Sequence, residues 1–455
     1  MKKTITLLLI IIIAFSLCAC GSETVFESEN LSETQGMSFD GGGNLELLCK
    51  RDGFGCSSKA GYYYLTEDCD RLQNGDFASH MMYMDFKTQQ EIYLCSDTGC
   101  NHNTADCSSV FLNDDFPSAT TLIFIYNDKL YILSKDMDRS GEVSTEFSFE
   151  NKSLDEKTES IPTILYRANL DGTDREKIYA FDSLVTLEDL VLGNENGIYV
   201  ITKKLSAERH GASTYNTSSE KNLVFLDVEK REEKLMCSLD FNDSINWNVQ
   251  GCFDQSLVLT GNDFGKELSF EEKQDEDTYK ALYDKSDLVF ATLNLKENKP
   301  KEVFRIKNKV LPSYQIRENM LYCSTSDEDV IKSIDLTTGK EKQICTLKQN
   351  YISHIIGDYL CCQEPDTTKD STLYFVDINT GVVKYSKLVN KSLGWSLEFR
   401  AVLESEVLVI YDYDAEAAGD GSYEIKRYQY GLISQKDLVN GSDNYREIKM
   451  IGVGK

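Results

Sequence analysis

Histidine is scarce in this chain: His80, His102, His210 and His354 are all there are. None stands in an H-E-x-x-H zinc-hydrolase pattern, and there is no G-x-S-x-G nucleophile elbow and no P-loop glycine pattern. The common motif-bearing metalloproteases, α/β-hydrolases and P-loop NTPases are thereby excluded, and no catalytic residue is assigned. Positive charge is also in short supply. The 48 Lys and Arg face 75 Asp and Glu, a formal charge of −27. A surface this acidic repels phosphate backbones, which argues against a nucleic-acid partner. It favours cationic partners or metal ions only weakly, since solubility alone accounts for it equally well. No Pro/Ser-rich linker interrupts residues 45–455, so one large domain is the simpler organisation.

Long apolar runs are confined to Ile5–Leu17, which is short for a membrane span. Lys2 and Lys3 precede it, and Leu17-Cys18-Ala19-Cys20-Gly21-Ser22 closes it. The arrangement resembles a bacterial lipoprotein signal with its lipobox. By that resemblance residues 1–19 are a signal peptide and Cys20 becomes the lipidated first residue, held in the outer face of the cell membrane by acyl chains. Residues 20–44 then form a flexible acidic tether, and 45–455 the folded domain.

What is abundant is β-forming residue types, with 25 Tyr and 21 Phe. Ser371–Ser386 (STLYFVDINTGVVKYS) reads as two short strands around an Asp-x-Asn-Thr-Gly turn. Versions of it recur at Met84–Thr88, Ala168–Gly172, Leu226–Glu229, Leu293–Lys296 and Ile334–Gly339. The last two steps, 41 and 42 residues, match the period of four-stranded propeller blades. A second phrase, an apolar hairpin, precedes each copy: Leu122–Leu133, Leu190–Ile201, Cys252–Leu259, Ser313–Cys323, Ile352–Cys361 and Val402–Tyr411. Two hairpins make four strands. The expectation is an all-β chain, a β-propeller of about seven four-stranded blades, because one blade cannot bury its faces alone.

With strands A to D in each blade, the A–B and C–D turns are short and the variable length falls between B and C. Lys135–Pro162, Lys203–Lys221, Gly261–Asp287 and Asp412–Ser422 are expected to be long loops. Strand alternation puts them all at one end of their blades, where binding is expected.

Twelve cysteines follow Cys20, six of them within Cys49–Cys107. Cys95, Cys100, His102 and Cys107 form a C-x₄-C-x-H-x₄-C tract. Three sulfurs and an imidazole suit zinc, but the C-x-H link is expected to strain the two neighbouring ligands. Disulfides are the favoured reading, since an exported compartment permits them and the count is even. Cys69 is expected near the tract.

Lipobox, propeller phrases and LCSDTGCNHNTADC together resemble surface lipoproteins of Gram-positive, largely anaerobic bacteria of the Firmicutes/Clostridia type, which carry a TolB- or WD40-like propeller. The resemblance implies address and architecture and brings no activity. The last unit departs from it, with Tyr428-Gln429-Tyr430-Gly431 in place of the aspartate turn. Closure by Leu45–Lys50 or by Tyr445–Ile451 is the open alternative. The function expected is binding or scaffolding of an extracellular protein, peptide or glycan through the long-loop face. The alternative is a surface hydrolase acting on carbohydrate or peptide.

Overall fold

A computed structural model describes residues 43–50, 55–67, 69–116, 121–134, 162–182, 185–210, 214–241, 244–269, 272–273, 275–297, 299–311, 313–348, 351–363, 372–417 and 423–451. The expected signal peptide, Cys20, nearly all of the expected tether and nearly all of Lys135–Pro162 lie outside these. The fold is an all-β, seven-bladed β-propeller. Blade 1 has strands Gly55–Ser57, Gly61–Leu65, Phe77–Asp85 and Gln90–Tyr93. Blade 2 has Leu122–Tyr126, Lys129–Ser134, Ile164–Asn169 and Glu176–Ala180. Blade 3 has Val185–Asn194, Gly197–His210, Thr214–Asp227 and Glu232–Ser238. Blade 4 has Asn248–Phe253, Ser256–Asp263, Asp287–Asn294 and Lys301–Lys307. Blade 5 has Ser313–Arg317, Met320–Thr325, Val330–Asp335 and Glu341–Thr346. Blade 6 has Tyr351–Ile356, Tyr359–Gln363, Leu373–Asp377 and Val383–Ser386. Blade 7 has Glu398–Val402, Glu406–Ala417, Tyr423–Ser434 and Arg446–Glu447. Among the described residues two short α-helices, α1 (Glu276–Tyr283) and α2 (Gln435–Asn440), interrupt the strands.

Blades 3 and 4 form one compact unit; blades 5, 6, 7, 1 and 2 form another. In the first, Leu192, Tyr199, Leu223, Leu257, Val289 and Leu293 share a core with Leu45 and Trp247. In the second, the B strands are apolar on both faces because a neighbour covers each. Gly61–Leu65 is buried throughout, and so is Val407–Tyr411. The D strands are the opposite. Glu232–Ser238, Lys301–Lys307 and Glu341–Thr346 carry Lys and Glu on exposed positions, which keeps an outer edge from pairing with another chain.

The recurring aspartate has one job in every copy that keeps it. The Oδ1 of Asp85 accepts the N–H groups of Lys87 and Thr88 at 2.7 and 3.1 Å. Asp227, Asp335 and Asp377 accept the equivalent pairs at 2.8–3.1 Å. Each aspartate carbonyl then accepts the N–H four residues on, from Gln89, Arg231, Gly339 and Gly381. That fourth residue has a left-handed backbone, with φ from 57° to 73°. Glycine takes it without strain in blades 5 and 6, whereas Gln89 and Arg231 do not. The backbone N–H of Thr88, Thr338 and Thr380 holds the Asp85, Asp335 and Asp377 carboxyls below the usual carboxylate range. For Asp227 the Lys230 ammonium contributes most.

Three sequence expectations are corrected. Lys203–Lys221 is a continuation of the blade 3 hairpin rather than a loop, paired from Lys203↔Lys221 out to His210↔Thr214. Asp412–Ala417 likewise extends blade 7, paired with Tyr423–Gln429. Backbone N–H and C=O groups pair across both hairpins whatever the side chains, so a polar sequence does not prevent a strand. Leu45–Lys50 does not close the last blade: Glu46–Lys50 lies beside strand A of blade 3.

Tyr445–Ile451 supplies the closing strand. Arg446–Glu447 is strand D of blade 7, and the chain then runs along strand D of blade 1. Lys449 N–H donates to Gln89 O at 2.9 Å, and Glu91 N–H to Lys449 O at 3.0 Å. The Glu91 side chain is 1% exposed and accepts from the Tyr64 hydroxyl and, at 2.9 Å, from Ile451 N–H. Burial pushes its carboxyl above the ordinary value.

Asp335→Ala should lower the melting temperature at pH 7 by roughly 1–3 °C. A carboxyl with a depressed folded pKa stabilises fully above the unfolded value of about 3.9, and that stability is lost as pH falls through the folded value. The difference from the parent should therefore close toward pH 3 in thermal melts, and an undiminished difference there would remove the electrostatic account. Gly381→Ala should cost about 1–2 kcal/mol or more in urea titrations, since its Cβ would lie 2.3 Å from Ile344 O. Arg231→Gly should cost nothing or stabilise. Glu91→Ala, which strands the Tyr64 hydroxyl, should cost about 1–3 kcal/mol by the same measurement.

Candidate metal centre and the aromatic group beside it

Strand C of blade 1 is longer than its partners. Met81–Asp85 pairs inside the blade, while Phe77–His80 projects beyond it. The projecting half gains its own neighbours, Asp70–Arg71 on one side and Val110–Leu112 on the other. The tract between strand D and Val110 folds onto this small sheet, and Leu72, Ala78, Cys107 and Val110 pack with Cys95, Cys100 and Leu112.

There Cys95, Cys100, His102 and Cys107 come together. One donor atom from each lies within 4.8 Å of all the others. His102 Nδ1 is 3.4 Å from Cys107 Sγ, and His102 N–H donates to Cys100 Sγ at 3.3 Å. The strain expected of the C-x-H link is absorbed by the backbone, as His102 sits at φ 55°. Reversing the chain at that residue is what lets neighbouring ligands face one point.

Surrounding groups fix the ligands. His80, 2% exposed, contacts His102 O through Nε2 at 2.8 Å, and its Nδ1 lies 3.3 Å from Asp70 Oδ2. The Tyr93 ring stacks on the His102 ring at 4.1 Å. Ser109 Oγ is 3.0 Å from Cys107 Sγ, and Ser108 Oγ donates to Leu94 O at 3.0 Å. From blade 2, Arg175 donates to Val110 O at 3.2 Å and lies 4.2 Å from the Phe111 ring centre. Burial pushes the Cys107 thiol up to about 11. Burial also opposes ionisation of Cys95, but hydrogen bonding at Asp97, Ser108, Cys107 and Cys100 outweighs it and leaves that thiol below its ordinary value. Sequence reasoning named the four donors. It had no signal for Tyr93 or Asp70 as their supports, because these meet the tract only through strand pairing.

The twelve cysteines of the described residues are all free thiols. Cys69 is not one of the four clustered donors; its Sγ lies 3.3 Å from Asn113 Oδ1, beside the same small sheet. Cys361 and Cys362 face opposite sides of their strand, each into a different core cluster. Burial raises both thiols, Cys361 to about 12.

A second group gathers where strand A of blade 7 begins and strand B of blade 1 ends. Trp395, 41% exposed, sits 5.9 Å from the Tyr413 ring. The Tyr413 hydroxyl donates to Glu398, whose Oε2 is 3.1 Å from Arg400 Nη2. Arg400 lies 5.6 Å from the Tyr428 ring centre, and the Tyr428 hydroxyl donates to Glu67 Oε2 at 3.2 Å. The buried Tyr62 hydroxyl has no hydrogen-bond partner among the described residues. Burial disfavours the charge on Arg400, but Tyr430, Glu398, Tyr62 and Glu67 outweigh it and raise its pKa.

No protein-family model matches the chain, and no curated protein matches it. Solved structures do. Puromycin hydrolase is similar at 8% identity and a TM-score of 0.44, over 89% of this chain and 53% of that one. The acylaminoacyl peptidase of Pyrococcus horikoshii is similar at 9% and 0.45, over 89% and 52%. TolB from Acinetobacter baumannii is similar at 13% and 0.29, over 82% and 76%. The chain spans about half the length of the two hydrolases. Similarity this low carries nothing about activity.

Thiol reactivity should separate the two cysteine populations. In metal-stripped native protein, Cys95 and Cys100 should alkylate well before Cys323, Cys361 and Cys362, as read by peptide mass spectrometry. Equal rates would contradict the burial assigned to the core thiols.

Proposed function

We propose that the protein is an extracytoplasmic propeller, anchored to the outer face of the membrane by acylated Cys20, that binds a protein, peptide or glycan at the B–C ends of its blades. The observation that supports this is the Trp395 group. A large aromatic side chain is left in solvent beside Tyr413 and Tyr428, with Glu398, Arg400 and Glu67 supplying fixed acceptors and donors. Exposed aromatics flanked by oriented polar groups are the usual make-up of a binding hot spot. The paired tyrosine contacts hold Glu398 and Glu67 in place before a ligand arrives, which lowers the ordering cost of binding.

A hydrolase acting on carbohydrate or peptide is the second reading. Glu398 and Glu67, whose charges both act on Arg400, are the pair it would use.

Trp395→Ala should weaken capture of an envelope partner or glycan at least tenfold. Glu398→Gln should weaken it too, and neither change should shift the melting temperature by more than a degree or two. Turnover of a carbohydrate or peptide that Glu398→Gln abolishes would decide for the hydrolase. Capture unaffected by Trp395→Ala, but lost when Lys135–Pro162 is shortened, would move the site elsewhere. Cys20→Ala should release the protein from the membrane fraction, and continued membrane association would end the lipid anchor.

A further inference from the structure

We propose that Cys95, Cys100, His102 and Cys107 hold one Zn²⁺ ion in a closed, four-coordinate site that fastens the tract 94–112 to the projecting half of strand C in blade 1. The inference does not depend on the binding site at Trp395.

The donor set is the first argument. Three sulfurs and one imidazole converge, and four protein ligands complete the tetrahedral shell of a structural zinc site with no position left for water or substrate. Thiolate donors disfavour the hard cations Ca²⁺ and Mg²⁺. Geometry is the second. A tetrahedral ion with bonds of about 2.3 Å to sulfur and about 2.0 Å to nitrogen puts its ligand atoms about 3.5–3.8 Å apart. The 3.4 Å between His102 Nδ1 and Cys107 Sγ and the 4.8 Å bound on the whole set bracket that spacing. A disulfide between two of the sulfurs would leave the third sulfur and the imidazole aimed at nothing.

The supporting shell is the third argument. His80 holds the His102 carbonyl, Tyr93 holds the face of its ring, and Ser109 lies on Cys107 Sγ. Ligands at a metal site are characteristically oriented by such partners. The fourth is need. Leu94, Val110 and Phe111 are buried at the two ends of the tract, but between them Cys107 is its only buried apolar side chain, too little to order it, and a bound metal substitutes for a missing core. On binding, each thiol gives its proton to solvent as its sulfur bonds the ion; no electron moves.

The full chain, purified without added metal, should carry one zinc per molecule by elemental analysis and keep it through dialysis. Cobalt exchanged for it should show thiolate-to-metal charge transfer and the absorption of a tetrahedral ion. Cys100→Ser and His102→Ala should each weaken zinc at least tenfold in chelator competition. Cys69→Ser, outside the tetrad, should leave it unchanged. His80→Ala should weaken zinc roughly 10–100-fold while retaining the cobalt spectrum, a pattern expected of a positioning residue. Should the ligand variants fail to fold, hydrogen exchange on the parent decides. Chelation should unprotect residues 94–112 and zinc restore them, while the blade 5 strands stay unchanged. Zinc-free protein that fails to compete with a chelator, zinc retained equally by Cys100→Ser, or a disulfide among the three sulfurs would each overturn the proposal.

Discussion

An aspartate side chain that captures two backbone N–H groups just past strand C is the contact on which the blade pattern rests. It fixes a tight turn, and the turn fixes the C–D register. Register in turn decides which face of each strand is apolar, since a one-residue slip would send the core side chains to solvent. Asp85, Asp227, Asp335 and Asp377 show the same two acceptor contacts. Asn294 keeps one of them, to Lys296 N–H. Because the device needs a short acceptor side chain at a fixed offset, selection for the turn leaves a letter in the sequence, and the letter repeats at blade spacing.

That is why the blades were legible and their closure was not. In blade 7 the C–D link is not a tight turn at all. It holds α2, capped by the Ser434 hydroxyl on Asp437 N–H and ended by Gly441 at φ 72°. The closing strand has two residues on blade 7 and then crosses to blade 1. Two-residue pairing leaves no periodicity to read. Its anchor is long-range: the Arg446 guanidinium binds both Glu406 oxygens at 3.0 and 2.7 Å and reaches Phe86 O at 3.2 Å. The extended hairpins of blades 3 and 7 were misread for a related reason. Lys203–Lys221 is rich in charged and polar residues, and the blade 7 extension sets Tyr413 and Ala415, which pack on a core cluster, between acids, so both segments resemble loops.

The tetrad of Cys95, Cys100, His102 and Cys107 was legible as a donor list and illegible as a geometry. Spacing named four donors, and the same spacing argued for strain. The relief lies in one dihedral, the left-handed φ of His102, which no residue pattern announces. Nor does sequence show that strand C of blade 1 continues past its blade. That extension brings His80 under the tract, 22 positions ahead of His102.

The two groups of side chains are linked through a short piece of blade 1. Glu67, which meets Tyr428, lies two residues past strand B; Asp70, which meets His80, is three residues on. Thr66 joins them, since its Oγ1 accepts His80 N–H at 2.9 Å and its own N–H donates to His80 O at 2.9 Å. Glu67 is therefore one residue from a double contact to the strand that carries the tract. A residue so tethered has few alternative positions, and a carboxylate with few positions loses little freedom when a ligand arrives. In the proposed assignment the tract and the Trp395 group divide the work at one end of blade 1: a bound ion would stiffen the frame, and Trp395, Glu398 and Glu67 would present a surface whose polar groups are already aimed.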